Sequence, residues 1–194
     1  WGCLVEGFDI NPNYQQNFGK KYYKKLFETY GFKVLFKQFT FTKKITSPLS
    51  ERLYYKAKVA MKNPNYNFKH LKLSQLEKYT NDFRKIYNEA WAKYPGVSKM
   101  SSLQAKSIMN QLKPIIDEKI AWFAYEKEEP VGFFLCIPEM NQIFKHVNGK
   151  LNLIAKIKIF YYLKILRSCK KMVGLVFGIV PAHQGKGLDG ALIM

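Results

Sequence analysis

A continuous apolar run followed by a glycine-rich turn is the feature that most limits what this chain can fold into. Residues 172–180 read MVGLVFGIV, and residues 181–190 continue as PAHQGKGLDG. An uninterrupted apolar run of this length predicts a strand that is covered on both faces. The glycines that follow suit a tight turn, and Leu188 onward has the pattern of a helix start. The segment therefore predicts a buried strand, a turn and the N-terminus of a helix.

This strand–turn–helix arrangement favours the binding of an anion such as a pyrophosphate. The first N–H groups of a helix lack intrahelical partners and lie at the positive end of its dipole. Lys186 adds a positive charge at the same point, whereas His183 is expected to be a solvated loop histidine. The alternative is a glycine turn that only joins a strand to a helix, but its place after an apolar strand favours the anion site.

The rest of the chain has strand and helix patterns in two blocks. Within residues 1–48, alternating and helical apolar spacings predict a strand, a helix and a strand over 2–8, 20–30 and 33–42. Residues 49–67 have the composition of a linker, which places a domain boundary there. Residues 68–194 have patterns for strands over 68–73, 119–125, 130–137 and 172–180, and for helices over 76–91, 101–116 and 141–168.

The chain is strongly basic, with 32 Lys and Arg against 14 Asp and Glu and a net charge of +18. A charge this large favours an anionic partner, which includes nucleic acid, a membrane surface or a phosphorylated molecule. Only Arg52, Arg84 and Arg167 are arginines, the residue that planar readout of phosphates and bases prefers. We therefore expect most of this charge to be solvated surface and expect no nucleic-acid partner.

The cysteines and the apolar runs give no sign of a metal or of a membrane span. Three cysteines, far apart in sequence, predict neither a disulfide framework nor a zinc site, and a cytoplasmic location is expected. No apolar stretch approaches the ~20 residues that a membrane-spanning helix needs.

The turn after the apolar run resembles a known cofactor-binding signature. Gln184-Gly-Lys-Gly187 is similar to the acetyl-CoA signature of the GNAT superfamily of N-acetyltransferases, Q/R-x-x-G-x-G/A. Gln184 matches its first position and Gly187 its first glycine, whereas Asp189 stands at the second glycine position, with Gly190 next. Further short matches resemble an uncharacterised branch of the superfamily with two tandem GNAT-like domains: LVEGFD at 4–9, YNEAW at 87–91, PVGF at 130–133 and NG at 148–149.

The resemblance implies an α/β (α+β) fold in which a mixed, mostly antiparallel sheet is flanked by helices. Residues 1–48 correspond to the closing strand, helix and strand of a first GNAT-like domain. Residues 49–67 correspond to a linker, and 68–194 to the front of a second domain through its acetyl-CoA loop. Because the chain starts at Trp1 rather than Met and stops at Met194 in a helix start, we expect a fragment whose second domain ends after strand four. Residues 1–48 are then a candidate to supply the missing strands.

The resemblance also implies an enzyme, an N-acetyltransferase that moves the acetyl group of acetyl-CoA to a primary amine of a small molecule or peptide. In such folds the pantetheine arm pairs with free backbone groups of strand four, and the diphosphate lies on the turn that follows. The implied cofactor contacts are Phe177, Gly178, Ile179, Val180, Gln184, Gly185, Lys186, Gly187, Leu188, Asp189 and Gly190.

Catalytic side chains are only weakly indicated, because residues 171–180 contain no Asp or Glu to act as a base. Glu89 is a candidate substrate contact close to Trp91, for which we expect a packing role. Asn141 is a candidate to hydrogen-bond the acceptor, with capping of its own loop as the alternative. Tyr23 is a candidate general acid, although packing in the core of its helix is the simpler role.

Two other functions stay open. The missing acid on strand four and Asp189 in the signature are compatible with an inactive CoA-binding or scaffold module. Lysines interleaved with apolar residues over 156–171 are compatible with a basic binder of nucleic acid or a membrane surface. A helix with an apolar core face and a lysine-rich outer face is the simpler interpretation of that segment.

Overall fold

The computed structural model describes residues 2–149 and 151–194, which group into two compact units. Unit 1 consists of Trp1–Pro48 and Glu139–Lys171, and unit 2 consists of Leu49–Pro138 and Met172–Met194. The sequence pattern assigns 49–67 to a linker and 139–171 to the second domain. In the structure the first of these segments groups with unit 2 and the second with unit 1.

The described residues form seven α-helices and four strands. In chain order these are α1 (Tyr22–Thr29), α2 (Glu51–Lys62), β1 (Tyr66–His70), α3 (Leu76–Ala90), α4 (Ser102–Leu112), β2 (Ala121–Glu126), β3 (Glu129–Pro138), α5 (Asn141–Phe144), α6 (Leu153–Phe160), β4 (Met172–Ile179) and α7 (Leu188–Ile193). A π-helical turn (Tyr161–Ile165) continues α6, and a 3-10 turn (Pro181–His183) follows β4.

Unit 2 is built on a four-stranded antiparallel sheet in the order β1-β2-β3-β4. Each strand pairs with its neighbour in sequence, so that Tyr66 lies opposite Glu126 and Phe134 opposite Phe177. A tight turn at Lys127, whose φ is 55°, joins β2 to β3 in a hairpin that contains the strands predicted over 119–125 and 130–137. The predicted α+β class, with an antiparallel sheet flanked by helices, is confirmed and is consistent with a GNAT-like fold.

Helices cover both faces of this sheet. Phe133 points to one face, where its ring lies 5.0 Å from the ring of Phe83 in α3. The preceding residue, Gly132, faces the other way, and a Cβ placed on it would lie 3.4 Å from Leu192 in α7. Because neighbouring residues of a strand point to opposite faces, α3 and α7 lie on opposite sides of the sheet.

The start of α4 follows directly from its sequence. The Ser101 hydroxyl accepts a hydrogen bond from the Gln104 N–H at 3.2 Å, and the Gln104 side chain accepts one from the Ser101 N–H at 2.8 Å. This reciprocal pair satisfies two backbone donors that the first helical turn would otherwise leave unpaired. The helix predicted over 101–116 therefore starts as expected, and it ends at Leu112.

Helix α2 occupies most of the segment that has the composition of a linker. Ala57 and Ala60 are fully buried, and Ala57 lies against α7 at Gly190. A Cβ on Gly190 would lie 2.9 Å from the Ala57 Cβ and 3.0 Å from the Leu53 carbonyl. Small residues on both helices therefore allow α2 and α7 to pack closely.

Two strand predictions for unit 1 are wrong. Residues 2–8 and 33–42 are in irregular backbone and turns, and every described strand lies between 66 and 179. A strand needs a neighbour for its N–H and C=O groups, and alternation in sequence cannot supply one. The described sheet therefore contains no strand from residues 2–48, contrary to the idea that this segment completes it. Among residues 2–149 and 151–194, no helix has the length and apolarity needed to cross a bilayer.

Candidate functional site

The outer edge of β4 presents backbone groups that β3 does not use. The Val180 N–H donates to the Val131 carbonyl at 3.0 Å, so Val180 faces β3. Pairs in an antiparallel ladder alternate between bonded and non-bonded, so Gly178 also faces β3. Phe177 and Ile179 consequently direct their N–H and C=O groups away from β3. Only these two of the four predicted β4 contacts offer backbone groups to a ligand.

Side chains already occupy the two carbonyls on that edge. The Trp91 indole N–H donates to the Phe177 carbonyl at 2.9 Å, and the Gln184 amide donates to the Ile179 carbonyl at 3.0 Å. Both bonds agree with the direction that strand alternation assigns to these residues. What the edge offers is therefore two N–H donors, from Phe177 and Ile179, which suit the carbonyl oxygens of a bound molecule.

A bulge bends β4 just before this edge. Leu135 pairs with Val176 but Cys136 pairs with Gly174, so Leu175 is an extra residue on β4. Bulges re-aim strands and are frequent beside active sites. The strand is covered only at its end, from Gly178 onward, while its first half is exposed or half-buried. The prediction that the whole run is covered on both faces is therefore wrong, because only its last residues are buried.

The bend at 184–190 has an open half and a packed half. Gln184, Gly185 and Lys186 are exposed, and a Cβ added to Gly185 would meet no atom within 4 Å. Gly187 is buried, and a Cβ there would overlap the backbone carbonyl of Lys56 in α2. Both glycines have positive φ, 74° and 86°, which side chains rarely allow. The open half gives a ligand access to the backbone and to a lysine.

The packed half fixes the position of the bend. The side chain of Leu188 is fully buried in the core, and Gly190 lies against α2. Asp189 is half-buried in the first turn of α7. Three of the predicted cofactor contacts therefore have a packing role: Leu188 fills the core, and Gly187 and Gly190 leave the space that α2 occupies. Gly185 and Lys186 stay exposed and are the residues of the bend that could contact an anionic group.

His183 forms a partly buried polar cluster directly before the bend. Its Nδ1 lies 2.9 Å from the Tyr66 hydroxyl, and its Nε2 lies 3.8 Å from a carboxylate oxygen of Glu126. Burial, and secondarily the Glu126 carboxylate, raises the pKa of Tyr66. The Tyr66 hydroxyl therefore stays protonated, and it can donate to Nδ1 in the imidazole tautomer that carries its proton on Nε2, the nitrogen nearer Glu126.

The expectation that His183 is a solvated loop residue is wrong, since it is only 8% exposed. Its partners come from β1 and β2, which pair with each other and bring Tyr66 opposite Glu126. Tyr66 and His183 are 117 residues apart, so no local pattern could have indicated the cluster. The cluster connects the 3-10 turn after β4 to β1 and β2, the strands toward the opposite edge of the sheet.

The three candidate catalytic side chains belong to different units. Glu89 is exposed near the end of α3 in unit 2, two residues before Trp91. Asn141 lies in unit 1, where its amide donates to the Pro12 carbonyl at 2.9 Å, a bond that holds its own loop. Tyr23, also in unit 1, is 40% exposed on α1, so the prediction that it packs in a helix core is wrong.

Comparisons with known proteins give a distant relative and no family. No protein-family model matches the chain. A protein named bacterial ceramide synthase, from Caulobacter vibrioides (strain NA1000 / CB15N), is 23% identical over 164 residues. The match covers 84% of this chain but 42% of that relative's length.

Among residues 2–149 and 151–194, no group of His, Cys, Asp and Glu could hold a metal ion.

Proposed function

We propose that this chain carries the donor-binding part of an N-acyltransferase that uses a coenzyme A thioester, acetyl-CoA in the first instance, and a primary amine. The outer edge of β4 carries this proposal, since the N–H groups of Phe177 and Ile179 point away from β3 and side chains occupy the carbonyls of both residues. The bound thioester would supply the activated acyl group. The protein's part is to hold that group, polarise its carbonyl and accept the proton of the amine.

The N–H groups of Phe177 and Ile179 suit an extended ligand. Residues two apart on a strand are separated by ~7 Å and point the same way. An extended arm with amide carbonyls can add to such an edge as a further strand would. One of these donors, aimed at the thioester oxygen, would stabilise the negative charge that develops there during amine attack.

The open half of the 184–190 bend suits the phosphates of the same ligand. Gly185 lets the ligand approach the backbone closely, and Lys186 supplies a solvent-exposed positive charge. Because the ammonium form of an amine is not nucleophilic, a base must also take its proton. Residues 172–179 contain no Asp or Glu, so Glu89, close to the Trp91 that bonds β4, is our candidate.

The distant relative supports the reaction class. A ceramide is an amide, so the name of the Caulobacter protein denotes the formation of an N-acyl bond. The match spans 42% of that relative's length. The acyl group and the amine acceptor of the present protein must therefore be identified by experiment.

Calorimetric titration of acetyl-CoA into the protein tests the proposal. We expect saturable binding that Lys186→Glu weakens by about tenfold or more, since one ion pair to phosphate is lost and a repulsion is gained. Lys113→Glu, at an exposed position at the end of α4, makes the same charge change on the other side of the sheet from α7 and should bind normally. Lys186 is preferable to Gly187 as the test position because Gly187 packs against Lys56. Absence of binding to the unaltered protein would contradict the proposal.

An inactive CoA-binding module is the second candidate, and the lack of an acid on β4 favours it. Release of the free CoA thiol separates the two. Thiol release that depends on an added amine supports the enzyme, whereas tight binding with no release on any amine supports the module.

A further inference from the structure

The positive charge of the chain is concentrated in unit 1. Residues 1–48 and 139–171 contain sixteen Lys and Arg and four Asp and Glu, a net charge of +12 out of the total of +18. Unit 2 is the larger part of the chain and carries the remaining +6. Charge of one sign at this density attracts an anionic surface over a distance set by ionic strength.

The helix formed by α6 and its π-turn exposes apolar side chains among these lysines. Its inner side is marked by Ala155, which is buried, and by Tyr162, whose ring stacks on His146 at 4.0 Å. Six large apolar residues are between 44% and 73% exposed: Leu153, Ile154, Ile157, Phe160, Tyr161 and Ile165. We call these six residues the α6 surface. The expectation of an apolar core face and a lysine-rich outer face is therefore wrong, because the outer face is itself apolar.

Lysines lie beside the α6 surface rather than opposite it. Lys156, Lys158 and Lys164 are all exposed, and no acidic residue occurs between 140 and 171. The helix has eight residues in α6 and five in the π-turn, a length of ~20 Å at 1.5 Å per residue. This combination of bulky aliphatic, aromatic and lysine side chains on one short helix is typical of helices that lie flat in a lipid headgroup layer.

We infer that the α6 surface docks unit 1 on an anionic lipid membrane. The apolar side chains enter the boundary between headgroups and acyl chains, and the lysine ammonium groups extend to the lipid phosphates. Nucleic acid is the poorer fit, because Ile and Leu gain nothing from a phosphate backbone. The segment also has only one arginine, Arg167. The docking surface lies in unit 1 and does not depend on the acyl-transfer proposal for unit 2.

Vesicle flotation tests this inference, because bound protein rises with the vesicles while aggregated protein sinks. We expect the chain to float with vesicles of phosphatidylcholine and phosphatidylglycerol and to stay behind with phosphatidylcholine alone. Ile157→Ser with Phe160→Ser should weaken binding by about tenfold or more through lost apolar burial. Replacement of Lys156, Lys158 and Lys164 by Gln should weaken it by on the order of 100-fold, at about fivefold for each lysine.

Matched variants control for general effects of charge and apolarity. The control variant replaces three exposed lysines of unit 2 by Gln: Lys62, Lys99 and Lys113. It removes the same charge and should change vesicle binding by about twofold or less. Leu103→Ser, at an 81% exposed position on α4, should have no effect. Equal losses in the unit 1 and unit 2 lysine variants would overturn the inference. A second result would also overturn it: tighter binding to an RNA oligonucleotide than to vesicles, with RNA binding unchanged in the Ile157→Ser, Phe160→Ser variant.

Discussion

The hydrogen bond between Tyr66 and His183 predicts a measurable coupling across unit 2. The Tyr66 hydroxyl and His183 Nδ1 are 2.9 Å apart, and His183 is 8% exposed. Replacing His183 by Leu puts an apolar side chain of similar size in its place and removes the ring nitrogen that bonds Tyr66. Replacing Tyr66 by Phe removes the donor and keeps the ring.

The expected magnitude follows from what each change leaves behind. A hydrogen bond between neutral groups contributes about 1 kcal/mol net, and a buried group that loses its partner costs about 1–3 kcal/mol. His183→Leu and Tyr66→Phe should each lower the free energy of unfolding by about 1–2 kcal/mol. Because both remove the same bond, the double variant should be less destabilised than the sum of the two, by about 1 kcal/mol.

Urea denaturation of the four proteins in this cycle measures the coupling directly. His183→Asn is the matched rescue variant, since its side-chain oxygen can take the place of Nδ1 as the acceptor. We expect it to recover part of the stability in the presence of Tyr66 but none in its absence. Additive effects within 0.3 kcal/mol, or equal stabilities for the Leu and Asn variants, would refute this account of the cluster.

Three further predictions concern positions that hold unit 2 together. Trp91→Phe removes the donor to the Phe177 carbonyl and should lower the unfolding free energy in urea by about 0.5–1.5 kcal/mol, with an unchanged circular dichroism spectrum. Gly190→Val forces atoms into α2 and should lower it by about 1–3 kcal/mol. Burial raises the pKa of Cys136 to about 12, so at pH 8 its thiol stays protonated and should react with a disulfide reagent only after unfolding. Rapid reaction of all three thiols in the native chain would contradict the last prediction.

Local patterns were sufficient for much of unit 2. Helix α3, the helix that starts near 101 and strands β2 and β3 all depend on patterns of residues close in sequence, and each was predicted. Strand patterns in unit 1 failed because pairing depends on a partner elsewhere in the chain. His183 was misjudged for the same reason, since its partners lie on β1 and β2.

The glycines of the bend show how one pattern can have two causes. Gly185 and Gly187 both adopt positive φ, and the family resemblance implies that both contact the cofactor. In the structure Gly187 is required by α2, whose Lys56 carbonyl fills the space of a side chain, while Gly185 is open. Sequence cannot distinguish these cases, because the helix responsible lies more than a hundred residues earlier.

Residue-resolved amide hydrogen exchange, measured by NMR with and without CoA, tests the role of the β4 edge most directly. The Phe177 and Ile179 N–H groups should exchange faster than those of Gly178 and Val180 in the free protein, because only the latter pair bonds to β3. Saturating CoA should slow exchange at Phe177 and Ile179 and leave Gly178 and Val180 unchanged. Binding of CoA with no added protection at either edge residue would contradict the account.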